Sequence, residues 1–353
     1  MAAGFRGGIE TVTIRDVAKL AGVSTTTVSH ALNRTRPVHE DTRKRIQAAV
    51  EELGYAQNMG ARSLRRSRTE SIGVMTPDAA QYTFGRIIGG VESEAQAHGL
   101  TILLANTGDS VEQERNAVHA LQERRVDGLV IAQVVPGSRT IFDDVRRRGV
   151  PVVAVDRLQD LTVGVDFVAV DSVQPTRRIT QHLLDRGHKK ISLVAGDTSL
   201  PTLMDRRVGF LQALDASGIS PWEGNLLEGT RTIEETRSAV RELLNRDDPP
   251  TALVGGSYRL TLGILEAVQD TGLRIPEDIA FVTFDEFPYS KLFRPWITSV
   301  VQPAFEIGRE AMHLLLRRIA EPNVPPARLL LEPRIEHGTS CGCRAGESSA
   351  LFA

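Results

Sequence analysis

The 353-residue chain is poor in cysteine, with only Cys341 and Cys343, and poor in aromatic residues, which make up 5% of it. Two cysteines one residue apart cannot frame a disulfide-stapled secreted fold, and two sulfurs without nearby partners in sequence make a poor zinc site. The longest apolar runs, among them Ala252–Gly255 and Leu329–Leu331, fall far short of the ~20 residues that span a membrane. The glycine-rich start, Met1–Thr11, lacks the apolar segment of a secretory signal. Catalytic signatures are also missing: no phosphate-cradling GxxxxGKS/T, no HExxH and no GxGxxG after a strand. Ser257, in GGSYR, has no assignable base, and the eight histidines follow no metal-type pattern. These gaps point away from an enzyme, a metal protein and a membrane protein. They leave a cytoplasmic globular protein for which no cofactor is expected.

What is present begins with an uneven charge. The whole chain carries a net charge of −2, yet its first 68 residues hold 12 Lys+Arg against 6 Asp+Glu, and the remainder is correspondingly acidic. A basic head on an acidic body suits a polyanionic partner for the head alone. The length itself implies two or three domains.

Within the head, Ile14–Asn33 reads IRDVAKLAGVSTTTVSHALN. Ile14, Val17 and Ala21 share one face of a short helix, and Gly22 permits the positive φ of a sharp turn at its end. Ser24 or Thr25 caps a second helix whose Val28, Ala31 and Leu32 face inward. The pattern is that of a helix-turn-helix, in which the second helix enters the major groove of DNA. Thr25, Thr26, Ser29 and His30 then project outward as short polar readers of base edges and phosphates. A third helix is expected over about Asp41–Leu53, with Ile46, Ala49, Val50 and Leu53 buried and Gly54 as its stop. Its Arg43, Lys44 and Arg45 either touch phosphates or form a solvated basic face. Arg36 is placed to reach DNA from the preceding loop.

After Glu70, apolar β-rich runs appear at Ser71–Met75, Thr101–Asn106, Gly128–Gln133, Val152–Asp156, Phe167–Asp171, Ile191–Ala195, Ala252–Gly256 and Ile279–Phe284. Helical stretches such as Phe84–His98 and Asp205–Ser217 separate most of them. Buried strands linked by helices indicate an α/β fold of doubly wound parallel sheets, and so many strands suit two lobes better than one sheet. A ligand is then expected beyond the strand ends, between the lobes.

Three runs, TIRDVAKLAGVSTTTVSHALN, VHEDTRKRIQAAVEELGY and ARSLRR followed by ESIGVM, resemble the LacI-type family of transcription regulators. The resemblance is dense over the head and looser over the body. It implies a helix-turn-helix domain over 12–56 after a disordered N-terminus over 1–11, a hinge helix and linker over 57–69, and a periplasmic-binding-protein-like core over 70–340. Lobe one is expected to hold about 70–161 and 302–327, lobe two about 162–301 and 328–340, with a flexible tail over 341–353. The implied partners are a double-stranded DNA operator, a second copy of the chain in a homodimer, and a small-molecule effector such as a sugar or sugar derivative. Leu64, flanked by Arg62, Arg65 and Arg66, corresponds to the leucine that wedges into the minor groove. Asp285 and Arg206 match the effector-contacting aspartate and arginine, Phe84 an aromatic lining the cleft, and Thr202 a weaker contact.

The chain departs from the family at His39, where a Ser or Thr helix cap is usual, a loss of up to ~1 kcal/mol unless Asp41 takes over. It also has Ser257-Tyr258 where relatives often place Asn-Asp, and Arg231 where a stacking aromatic often stands. With Trp222 and Trp296 readable as packing residues, these departures favour an anionic or heavily hydroxylated ligand over a plain hexose. Two rival readings stay open at this level: a constitutive DNA-binding protein with a vestigial cleft, and a ligand-processing enzyme with a DNA-binding head.

Overall fold

The computed structural model describes residues 12–33, 36–55, 68–134, 139–160, 162–220, 222–286, 288, 292 and 294–344. The chain divides into two compact units, Met1–Thr69 and Glu70–Ala353. Leu64 and the arginines around it lie outside the described residues, as does most of the expected linker.

In the first unit, α1 (Ile14–Ala21), α2 (Thr25–Asn33) and α3 (Glu40–Leu53) enclose a small core of Val17, Ala18, Ala21, Val28, Ile46 and Ala49. Val17 and Val28 are fully buried, worth about 1.5–3 kcal/mol each relative to exposure. Helix α1 opens on Asp16, whose carboxylate accepts from the Thr13 amide at 2.8 Å and hydroxyl at 2.7 Å. These two bonds, the hydroxyl first, hold Asp16 below the ordinary carboxylate range. The helix ends at Gly22, with φ of 64°, a left-handed turn that glycine adopts without steric cost. Ser24, rather than Thr25, caps α2: its Oγ accepts from the Thr27 amide at 3.0 Å. Helix α3 begins at Glu40, one residue earlier than expected, and His39 makes no side-chain cap bond to it. The Asp41 carboxylate instead lies 3.6 Å from His39 Nδ1, with both side chains exposed.

The second unit runs β1 (Ser71–Thr76), α4 (Tyr82–Ala97), β2 (Thr101–Asn106), α5 (Val111–Glu123), β3 (Gly128–Ile131), α6 (Arg139–Arg147), β4 (Val152–Val155) and β5 (Asp166–Val170). It continues with α7 (Val173–Asp185), β6 (Ile191–Gly196), α8 (Pro201–Ala216), β7 (Leu226–Glu228), α9 (Ile233–Leu244), β8 (Ala252–Gly255), α10 (Tyr258–Thr271) and β9 (Ala280–Phe284). Strand β10 (Thr298–Val301), α11 (Ala304–Ala320), β11 (Arg328–Leu331) and β12 (Arg334–Glu336) complete it. No helix among the described residues is long and apolar enough to cross a membrane.

The strands form two six-stranded sheets, ordered β11-β5-β4-β3-β1-β2 and β12-β10-β9-β8-β6-β7. All pairings are parallel except β10 with β12. Helices cover both faces, so alternate residues of one strand feed two cores. In the first lobe Val74, Val130 and Val153 enter one cluster, Met75, Ile131 and Ala154 the other. Two further clusters flank the second sheet.

The lobe boundaries expected at 161 and 327 move. Strand β5 pairs with β4, and β11 pairs with β5, so the first lobe extends through Val170 and again through Leu331. Four strands escaped the sequence reading. Strands β7 and β12 have only three residues each, and the apolar run of β11 is just as short, Leu329–Leu331, so each is too short to stand out in the sequence. Strand β10, TSVV, is fully buried but short and half polar. The expected frayed tail is also corrected: the chain folds back as β12, and Cys341 and Cys343 are buried in a core of the second lobe. Residues 345–353 lie outside the described ones.

Candidate functional site

On the head, Thr26, Ser29 and His30 share one face of α2 at i, i+3 and i+4 spacing. Thr25 and Thr26 are exposed, Ser29 and His30 half-buried, and Arg36 is exposed in the loop before α3. The Ser29 hydroxyl accepts from Asn33 Nδ2 at 3.3 Å, which also donates to the Ser29 carbonyl at 2.8 Å. Ser29 is therefore oriented before any ligand arrives. Arg43 lies 3.7 Å from Glu40, leaving Lys44 and Arg45 as exposed cations of the α3 face.

In the second unit the carboxyl ends of both sheets face a cavity of about 650 Å³. Phe84, Thr202, Arg206 and Asp285 all line it. Asp285 is the first residue past β9, held at a positive φ of 77° while its amide donates to Val300 O. One of its carboxylate oxygens accepts from Gln302 Nε2; the other accepts from the Tyr258 amide at 3.3 Å and Arg206 at 3.5 Å. Arg206 is buried on α8, donates to the Gly256 carbonyl at 2.6 Å, and lies 3.6 Å above the Phe284 ring. Its Nε has no hydrogen-bond partner among the described residues. Three residues on, Gly209 puts a would-be Cβ 2.2 Å from the Val173 carbonyl. Only glycine allows α8 to approach α7 so closely, and that seating aims Arg206 at the strand ends.

A second aspartate, not singled out in the sequence, occupies the matching place in the first lobe. Asp156 is the first residue past β4, has φ of 62°, and its amide donates to Val168 O just as Asp285 donates to Val300 O. Strands β4 and β9 hold equivalent positions in their sheets, and the signal was legible: VAVD before Arg157 parallels VTFD before Glu286. Burial pushes the Asp156 carboxyl up, Arg157 and Arg206 pull it back, and Asp285 and Asp109 push it up again; the net is upward. Arg157 is buried beside it, bonded to Asp109 at 2.7 Å and 5.9 Å from the Phe84 ring centroid. Each lobe thus offers a strand-end aspartate, a buried arginine and a phenylalanine.

Phe84 is both core and cleft wall, since it belongs to a hydrophobic cluster of the first lobe while lining the cavity. Thr202, half-buried in the first turn of α8, lines the same wall. Two more ion pairs ring the opening: Arg231 with Asp197 at 2.8 Å, and Arg259 of the second lobe with Asp78 of the first at 4.0 Å. Burial alone would raise the Asp197 carboxyl; the Ser199 hydroxyl and amide, with Arg231, outweigh it and hold it low. Ser257 proves to be a helix cap, its Oγ accepting from the Leu260 amide at 3.5 Å. Neither tryptophan lines the cavity, and Trp222 packs against a second-lobe core.

Residues 13–58 match the family described as bacterial regulatory proteins, lacI family, and residues 69–335 match the periplasmic binding proteins and sugar binding domain of the LacI family. The chain belongs to the LacI family. Among its relatives is the HTH-type transcriptional repressor PurR of Vibrio atlanticus, 34% identical over 88% of this chain and 92% of that protein. Catabolite control protein A of Priestia megaterium is 33% identical over 92% and 98% respectively. Among solved structures, the lac repressor dimer bound to operator and an anti-inducer superposes with a TM-score of 0.83 at 27% identity, covering 94% of this chain and 99% of that one. The head is the DNA-binding domain of a LacI-family transcriptional regulator, and the two-lobed body is its effector-binding domain.

Proposed function

We propose that the protein is a homodimeric repressor whose grip on a palindromic operator is set by a polyhydroxylated metabolite, a sugar or sugar derivative, held between the lobes. Thr25, Thr26, Ser29, His30 and Arg36 contact the operator, and Leu64 wedges the minor groove at its centre. Phe84, Thr202, Arg206 and Asp285 hold the effector, with Asp156 and Arg157 completing the first-lobe side. The observation that carries this reading is the convergence of Asp285, Arg206, Asp156 and Arg157 on one cavity.

The ion pairs sharpen the ligand class. Arg157, Arg206, Arg231 and Arg259 each already face an aspartate, so an anionic ligand that reaches an arginine also meets the carboxylate beside it. A hydroxyl both donates and accepts, so a vicinal diol fits beside an Asp–Arg pair without breaking it. Of the two classes favoured by the sequence, the heavily hydroxylated one therefore fits better. Coupling runs through the chain crossings between lobes. Gln302, which bonds Asp285, sits in the crossing between β10 and α11. A ligand that alters the lobe angle biases the operator-bound state, and allosteric coupling of about 1–3 kcal/mol changes operator affinity roughly 5–150-fold.

The test is thermal-shift screening of the full chain against neutral sugars, polyols, sugar acids, sugar phosphates and purines, followed by operator titration with each hit. A true effector at a hundredfold its Kd stabilises by ~2.7 kcal/mol. Arg206→Ala and Asp285→Asn abolish the effector response while operator binding persists. If both respond at unchanged effector concentration, the cleft assignment is wrong.

A further inference from the structure

Away from the cleft, the fold brings a histidine of α7 against three residues of the C-terminal segment, His337, Cys341 and Cys343, which lie within seven positions of one another. Cys341 and Cys343 come after β12, and both are buried. Against them lie His337, four residues before Cys341, and His182, which α7 supplies from 161 residues before Cys343. Cys341 Sγ is 3.4 Å from His337 Nε2, and Cys343 Sγ is 3.4 Å from His182 Nε2. The four ligand atoms all lie within 4.8 Å of one another. We propose that these residues form a structural zinc site that staples the C-terminal segment onto the second lobe.

Geometry is the first support. Zinc bound at about 2.3 Å to sulfur and 2.0–2.1 Å to nitrogen in a tetrahedron has S···N edges of about 3.5 Å. Both observed Sγ···Nε2 separations match that edge. Two imidazoles that aim Nε2 at one such ion have centroids about 5 Å apart, and the rings of His182 and His337 are 5.2 Å apart and nearly perpendicular. Two separate thiol–imidazole hydrogen bonds would explain each 3.4 Å distance, but not why the two pairs lie side by side with all four ligand atoms within 4.8 Å.

Ligand chemistry and charge agree. Two thiolates and two imidazoles in a tetrahedral set select zinc among the common divalent ions. Loading releases the thiol protons, and the two thiolates then cancel the ion's charge. The site is neutral overall, which a buried position requires. The surroundings fix the ligands: Thr298 Oγ1 donates to Cys341 Sγ at 3.3 Å and accepts from the Gly338 amide at 3.0 Å. Such outer partners orient metal ligands and tune them. The segment is further tied by Ser340, whose Oγ accepts from the Thr298 amide and donates to Phe281 O, and by Arg186, which donates to Gly342 O at 2.7 Å.

Because the chain has only two cysteines, the test is unambiguous. Full-length protein purified without chelator, then dialysed with zinc, is expected to hold one zinc per chain that blocks thiol alkylation. Cobalt(II) in its place gives the thiolate charge-transfer and intense d–d bands of a tetrahedral sulfur site. At zinc a hundredfold over its Kd, the melting temperature rises by about 5 °C. The Cys341→Ala/Cys343→Ala variant loses the zinc, and its melting temperature no longer responds to zinc or chelator. His182→Gln weakens zinc retention at least tenfold. Protein that takes up no zinc, zinc that survives the double substitution, or thiols that alkylate equally fast with and without zinc would each overturn the proposal. The alkylation and cobalt readings use unaltered protein, so they decide the question even if the double variant does not fold.

Discussion

In the first lobe the edge strand β11 lies parallel to β5, and an ion pair fastens the chain leading into it. Arg318 of α11 bonds both Asp166 oxygens, at 2.9 and 3.1 Å, and Asp166 also accepts from the Ala327 amide at 2.8 Å. In the second lobe the equivalent edge strand β12 is antiparallel to β10, and the chain beyond it enters the cluster of His182, His337, Cys341 and Cys343. The same strand order is therefore secured at the same edge by two chemistries. A guanidinium–carboxylate pair comes complete with the chain. Sulfur and imidazole ligands respond to what the surroundings supply.

That contrast is broken most forcefully from the first-lobe side. Arg318→Ala leaves the nearly buried Asp166 carboxylate unpaired and should cost about 3–5 kcal/mol, read by urea denaturation, with the zinc response intact. A loss within experimental error would show that the pair fastens nothing. A finer comparison uses the two strand-end aspartates. Asp285→Asn disturbs a carboxylate that accepts from Gln302, Tyr258 and Arg206, and should destabilise by about 1–3 kcal/mol.

Asp156→Asn acts in the opposite direction. Its carboxyl is raised in the folded protein, so the folded state binds this proton more tightly than the unfolded chain does. Its contribution is most favourable below the unfolded value, near pH 3.9, and declines as pH rises through the folded one. Asparagine tolerates the same positive φ and removes that decline. The variant should melt higher than the parent at pH 7, with a smaller gain at pH 4; a larger gain at pH 4 would refute the assignment. As a control outside both lobes, Ser24→Ala removes the α2 cap and costs the head ~1 kcal/mol. Calorimetry should show the effector domain melting unchanged.

Much of this is legible in the sequence, and the failures have physical reasons. Most of the eight strands found announce themselves as continuous apolar runs because parallel strands are buried on both faces; β2, at the sheet edge, is found although none of its residues is fully buried. Strand β11 does not stand out, because its apolar run is only the three residues Leu329–Leu331. Asp285 is found by matching to the family, while Asp156, set by the same turn in the same place, is overlooked because no family role points to it. The cysteine cluster is half legible: His337, Cys341 and Cys343 are near neighbours in sequence, so the reading of two sulfurs without nearby partners overlooks His337, while His182 reaches them only through tertiary folding. His39 is correctly marked as an uncapped helix start, since the side chain that replaces the usual hydroxyl makes no cap bond.

The first lobe is written in two instalments. Its sheet is begun by β1–β5 and finished only after the chain has built nearly all of the second, when α11 delivers Ile307, Ala311, Met312 and Leu315 to the core and β11 closes the edge. On the ribosome, the earlier half must therefore wait with a greasy groove uncovered. A nonsense codon after Val301 would ruin the lobe that was translated first.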